Sequence, residues 1–106
     1  MSDPVSVEIM DRSPTSAVAR LAGDFDIVTS EGIKRELAEL VDAGHASLVL
    51  DLAGVGFVDS SGLGALVALH RYAESQGGRF AVRGVPPPVQ RLFAITGLDG
   101  LLAVDG

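Results

Sequence analysis

The octet Phe57-Val58-Asp59-Ser60-Ser61-Gly62-Leu63-Gly64 sets two hydroxyls beside a carboxylate, between a strand-like apolar run and a long apolar-periodic segment. Hydroxyls at a helix start can cap the helix, act as a nucleophile or accept a phosphate. A helix N-terminus presents unpaired backbone N–H groups and a partial positive charge, so a phosphate attached there is well accommodated. The nucleophile elbow of serine hydrolases, G-x-S-x-G, fails on spacing, because Val58 stands two before Ser60 and Asp59 two before Ser61. A base is also missing: His70 lies ten residues along the same predicted helix, roughly 15 Å away and beyond hydrogen-bond reach. The chain has no Gly-Lys pair, which a phosphate-cradling P-loop requires, and Gly62-x-Gly64 is only half of a dinucleotide fingerprint. Asp24, Asp26, Asp51 and Asp59 either gather where loops meet at strand ends or simply solvate turns. For the serines, helix capping and service as another protein's substrate both stay open, since one cap suffices and the second hydroxyl is spare. Gly62 and Gly64 are expected to lower crowding around them.

The composition narrows the classes. A chain of 106 residues, 47% hydrophobic and 21% charged, fits one globular domain with one modest core. No apolar stretch approaches the length of a spanning helix, and the start Met1-Ser2-Asp3-Pro4-Val5 has no secretory pattern, so a cytoplasmic protein with no membrane contact is expected. With no cysteine and only His45 and His70 as nitrogen ligands, neither a metal nor another cofactor is expected. A net charge of −6 disfavours nucleic acid and suits a basic protein surface.

The periodicities place these residues. Val5, Val7 and Ile9 alternate as a strand ended by Asp11-Arg12-Ser13-Pro14, and Ala17, Ala19 and Leu21 continue a hairpin partner that Gly23 is expected to break. From a Thr29 or Ser30 cap, Ile33, Leu37, Leu40 and Val41 recur on one helical face up to Gly44. Leu48 to Leu52 reads as an interior strand covered on both sides, and Gly54 to Ser61 as a loop. A second helix covers Leu63 to about Ser75, Phe80 and Val82 mark a short strand, and Pro86-Pro87-Pro88 opens a third helix stopped by Gly97. Leu101-Leu102-Ala103-Val104 suits a last edge strand. The predicted architecture is a single α/β domain over residues 1–106, with an ordered core of about 5–104. Its mixed sheet has four to five strands, a hairpin followed by parallel strands, with about three to four helices.

Read together, the segments resemble the STAS domain family, and within it the bacterial anti-sigma factor antagonists. Gly23-Asp24-Phe25-Asp26 with Thr29 and Glu31 is similar to the family's Gly-Glu-Leu-Asp segment, with Asp24 in place of the usual glutamate. Leu50-Asp51-Leu52 leads into the octet, which resembles the family signature, and Val89-x-Arg91-Leu92-Phe93 with Thr96-Gly97-Leu98 resembles its last helix. The resemblance implies a regulatory switch and not an enzyme. The unphosphorylated form would bind an anti-sigma factor, commonly an ATP-binding serine kinase, and release the sigma factor; phosphorylation would end that binding, and a phosphatase would restore it. It implies Ser60 as the phosphorylated residue, leaving Ser61 as the expected cap. The implied partner-binding residues are Asp26, Asp59, Ser60, Ser61, Gly62 and Leu63. Two alternatives stand beside it: a STAS subunit regulating a transporter ATPase or signalling assembly without phosphorylation, and a small nucleotide-binding module.

Overall fold

The computed structural model describes residues 6–98 and the backbone of residues 103 and 104. Val5, Leu101 and Leu102, which the predicted first and last strands include, lie outside the described residues. The elements are β1 (Ser6–Arg12), β2 (Ser16–Phe25), α1 (Ser30–Asp42), β3 (Ser47–Val58), α2 (Ser60–Ser75), β4 (Phe80–Arg83), α3 (Pro87–Thr96) and β5 (Ala103–Val104). They form one five-stranded sheet in the order β1-β2-β3-β4-β5, with β1 antiparallel to β2 and every later pairing parallel. This is the expected mixed α/β sheet.

Because each crossover moves one place in the same direction, right-handed connections set all three helices on one face of the sheet. The burial pattern agrees. Ala17, Ala19 and Leu21 of β2, Leu48, Leu50 and Leu52 of β3, and Phe80 and Val82 of β4 alternate onto that face and are buried. They meet Ile33, Leu37 and Val41 of α1, Leu63, Leu66 and Leu69 of α2, and Val89 and Phe93 of α3, each at helical spacing. A hydrogen bond from the Tyr72 hydroxyl to Asp42 joins α2 to α1. Gly97, at φ 76°, ends α3 in the left-handed conformation, with Leu98 N–H donating to Phe93 O at 2.8 Å.

The opposite face corrects the expectation that β3 is covered on both sides. There the residues Val18, Val49 and Ala81 are only half-buried. The register aligns Arg20, Asp51 and Arg83 across three strands. Asp51 Oδ1 accepts the Ala53 N–H at 2.9 Å, and its Oδ2 lies 3.3 Å from Arg83 Nε and 3.6 Å from Arg20 Nη2. A nearly continuous apolar run therefore reflects two unlike faces, one packed on helices and one closed by an ion row.

Two strands are longer than expected. β2 passes through Gly23, which takes φ 105° at a register shift and ends the strand only at Phe25. β3 continues through Gly54 and Gly56 to Val58, so the segment expected as a loop is mostly strand. At Gly54 a Cβ would lie 3.0 Å from Ala22 Cβ, which is why the close passage of the two strands uses glycine.

The Ala53 amide, with help from Arg83 and Arg20, holds the Asp51 carboxyl below the ordinary 3.8 despite opposing desolvation. This stabilisation is complete above the unfolded value and is lost as pH falls through the lower folded one. Asp51→Asn is expected to cost about 1–3 kcal/mol at neutral pH, with the gap from wild type closing below pH 3.8. Urea denaturation at stepped pH measures it, and a gap independent of pH contradicts this account.

Candidate functional site

β2 and β3 end side by side, Phe25 paired with Val58, so the chain leaves both strands at the same edge of the sheet. After Phe25 it makes a four-residue turn, Asp26 to Thr29, before α1; after Val58 a single residue, Asp59, precedes α2. The two connections are tied together. Asp59 N–H donates to Phe25 O at 3.3 Å, and the Asp59 carboxylate accepts Gly62 N–H at Oδ1 and Ile27 N–H at Oδ2, each at 3.0 Å. Asp59 is thus the N-cap of α2, and the helix begins at Ser60, earlier than periodicity indicated.

Ser61 is not the cap. Ser60 occupies the first helical position and is exposed, Ser61 the second and is half-buried. Neither hydroxyl makes a hydrogen bond to another described residue, and the backbone N–H groups of both likewise have no described acceptor. A cap of the Asx type three residues before Gly62 was a legible signal, since aspartate is as good an N-cap as serine. Thr29 stands at the cap position of α1 without capping it: its hydroxyl turns back to donate to Asp24 O at 2.9 Å.

The remaining expected site residues divide by burial. Gly62 and Leu63 are buried and offer no surface in this conformation. A Cβ on Gly62 would sit 2.4 Å from Phe25 O and 3.0 Å from Val58 Cγ1, so this glycine lets the first turn of α2 rest on the strand ends. Of the two glycines expected to be open, Gly64 is so, with nothing among the described residues within 4 Å of an added Cβ, and Gly62 is not. Asp26 is buried beneath its own turn, where Oδ1 accepts Val28 N–H at 3.0 Å and Thr29 N–H at 3.2 Å.

The four aspartates do not assemble into one cluster. Asp51 belongs to the ion row on the far face, and no group of three His, Asp or Glu side chains among the described residues is placed to hold a metal ion. His70 pairs with Glu74 at 3.3 Å and stacks edge-on against Phe80, so it provides no base for either serine. Segments 23–33 and 54–64 carry Asp24, Asp26 and Asp59 but no lysine or arginine. A phosphate on Ser60 would meet backbone N–H groups and carboxylates, with no cation supplied by these segments.

Three exposed apolar side chains lie in the same two segments as the serines and were not among the expected partner-binding residues. Ile27 and Val28 at the turn are 74% and 79% exposed, and Phe57 at the end of β3 is 52% exposed. Phe57 also lines a shallow cleft of about 280 Å³ with Val58, Pro88, Val89 and Leu92.

A family model described as Mlab, STAS domain, matches residues 10–103. The chain belongs to the STAS domain family. This STAS domain is 33% identical over 88 residues to the anti-sigma F factor antagonist of Paenibacillus polymyxa, covering 82% of this chain and 75% of that one. It is 31% identical over 85 residues to the anti-sigma-B factor antagonist of Bacillus subtilis strain 168, covering 80% and 77%. The crystal structure of an anti-sigma factor antagonist from Mycobacterium paratuberculosis superposes with a TM-score of 0.82 at 27% identity, over 98% of this chain and 89% of that one.

Two substitution pairs check the geometry of the STAS domain's helix start. Asp59→Ala should lose about 1–2 kcal/mol of stability, whereas Ser61→Ala should stay within about 0.5 kcal/mol of wild type; equal losses would contradict the cap assignment. Gly62→Ala should destabilise by about 1–3 kcal/mol through overpacking, while Gly64→Ala should stabilise by about 0.4–1 kcal/mol. Thermal and denaturant unfolding of the purified variants give the comparison.

Proposed function

We propose that this STAS domain is an anti-sigma factor antagonist whose partner binding is switched by phosphorylation of Ser60. The observation that carries the proposal is the position of Ser60: exposed, first in α2, with a hydroxyl that makes no hydrogen bond among the described residues. The names of the curated relatives support the partner class, an anti-sigma factor. The unmodified surface around Ser60, Ser61 and Asp59 binds that factor, with Asp26, Gly62 and Leu63 holding it from beneath, and the sigma factor is set free.

The reaction at Ser60 belongs to the partner, an ATP-binding serine kinase acting in the cytoplasm. Ser60 Oγ attacks the γ-phosphorus of ATP, a new O–P bond forms, the bond to the β-phosphate oxygen breaks, and ADP leaves. The hydroxyl proton passes to a base of the kinase, because His70 is paired with Glu74 and the Asp59 carboxylate is already engaged by the Gly62 and Ile27 amides. A phosphatase reverses the modification by hydrolysis.

The two consequences of the phosphate have different sizes. At a helix N-terminus its charge of about −1.5 to −2 is favoured by about 0.3–1 kcal/mol, so the fold survives. At the interface it introduces bulk and charge next to Asp59, in segments 23–33 and 54–64 that carry no basic residue. An interface formed around a neutral hydroxyl then faces like-charge repulsion and a desolvation cost. The switch acts on binding and leaves stability nearly unchanged.

The test uses ATP and each serine-kinase anti-sigma factor of the host, added to wild type, Ser60→Ala and Ser61→Ala, with the phosphate located by mass spectrometry. One phosphate is expected on wild type and Ser61→Ala, and none on Ser60→Ala. Phosphate on Ser61, or none with any such kinase, overturns the proposal and leaves the alternatives without phosphorylation. Ser60→Asp should melt within a few degrees of wild type and fail to bind; a large loss of stability contradicts the mechanism.

A further inference from the structure

The turn between β2 and α1 combines a locked backbone with free apolar side chains. Every backbone amide from Asp26 to Ser30 is engaged. Asp26 N–H donates to Thr29 Oγ1 at 3.0 Å, Ile27 N–H to Asp59 Oδ2 at 3.0 Å, and Val28 N–H to Asp26 Oδ1 at 3.0 Å. Thr29 N–H reaches Asp26 Oδ1 and Asp26 O, both at 3.2 Å, and Ser30 N–H reaches Asp26 O at 2.8 Å. From this braced turn Ile27 and Val28 project into solvent, 74% and 79% exposed.

Turns ordinarily place glycine, proline or short polar residues at such positions. Two adjacent β-branched aliphatic residues there contribute nothing to the core, and both side chains are stiff at the first torsion. Holding apolar groups rigidly in their unbound state removes most of the ordering cost of burying them against a partner. That is the physical form of a binding anchor.

We infer that Ile27 and Val28 are the apolar anchor by which the anti-sigma factor docks, and that they set which factor this chain accepts. The inference rests on the proposed switch at Ser60 and adds the specificity-determining residues to it. Two observations commit the occupant. The anchor is continuous with the phosphorylation site, since the carboxylate that receives Ile27 N–H also caps the helix that begins at Ser60. A protein seated on Ser60 is therefore beside the turn to which that helix start is tied. Segments 23–33 and 54–64 are acidic, carrying Asp24, Asp26, Glu31 and Asp59, with Lys34 following in α1 paired to Glu31, and the chain has a net charge of −6. The fitting partner presents an apolar socket with a basic rim. Asp59 acts as a positioning residue that fixes the anchor relative to Ser60.

The experiment measures affinity for the anti-sigma kinase that phosphorylates Ser60, by calorimetric titration without ATP, and the kcat/KM of phosphorylation. The proteins compared are wild type, Ile27→Ser/Val28→Ser, the conservative Ile27→Val/Val28→Ile, and Ile95→Ser. Ile95 is 82% exposed in the last turn of α3 and serves as an apolar surface control. The serine double variant should keep its melting temperature and lose more than about tenfold in both affinity and kcat/KM. The conservative variant and Ile95→Ser should stay within about threefold of wild type, short of that tenfold step. Equal binding by the serine double variant overturns the anchor and leaves the switch standing. Wild type that binds no anti-sigma factor overturns both. A wild-type dimer in sedimentation equilibrium that the double variant abolishes would assign the turn to a second copy of this chain, and also overturns the proposal.

Discussion

One carboxylate accepts two backbone amides where the strands end, and the site depends on it. Asp59 closes the first turn of α2 through Gly62 N–H and secures the turn before α1 through Ile27 N–H. Its own amide reaches the last carbonyl region of β2, at Phe25 O. Strand pairing brings Phe25 and Val58 level; the aspartate then converts that shared edge into a fixed relation between two loops and a helix start. Gly62 makes the arrangement sterically feasible, because any side chain there would strike Phe25 O.

The consequence for function is a division of labour between two consecutive residues. Since Asp59 does the capping, the Ser60 hydroxyl makes no hydrogen bond among the described residues, at a point where the helix dipole tolerates an anion. A residue that must be modified and restored repeatedly is best kept outside the hydrogen-bond network that stabilises the fold. The same reasoning separates Ile27 and Val28 from the core. Their backbone is bound and their side chains are not, so chemistry at this surface can change without cost to packing.

Much of the fold was legible because periodicity reports burial directly. The one-face spacing of Ile33, Leu37 and Val41, and the alternation of Ala17, Ala19 and Leu21, appear in the structure as the helix and strand they suggested. Glycine was the main source of error. Gly23 and Gly54 look like breaks in a string of residues, yet one adopts a positive φ inside a strand and the other permits close strand contact. Both functions depend on a neighbouring strand, which local sequence does not describe. The ion row of Arg20, Asp51 and Arg83 was hidden for a related reason, since its members are far apart in the chain and meet only through register. At the site, Ser60 was singled out by its place in the octet and by family resemblance. Its partner residues were less legible: Asp59 supports the helix, Gly62 and Leu63 are buried, and the exposed Ile27 and Val28 become noticeable only when the turn's hydrogen bonds are known.

The central claim is that a phosphate on Ser60 changes partner binding without changing the fold. The most direct measurement compares unmodified protein with protein stoichiometrically phosphorylated at Ser60, recording thermal unfolding of each and calorimetric affinity for one anti-sigma factor. The account predicts cooperative unfolding with midpoints within a few degrees of each other and an affinity lower by more than about a hundredfold for the phosphorylated form. Equal affinity of the two forms, or an affinity loss matched by loss of folded structure, would contradict it.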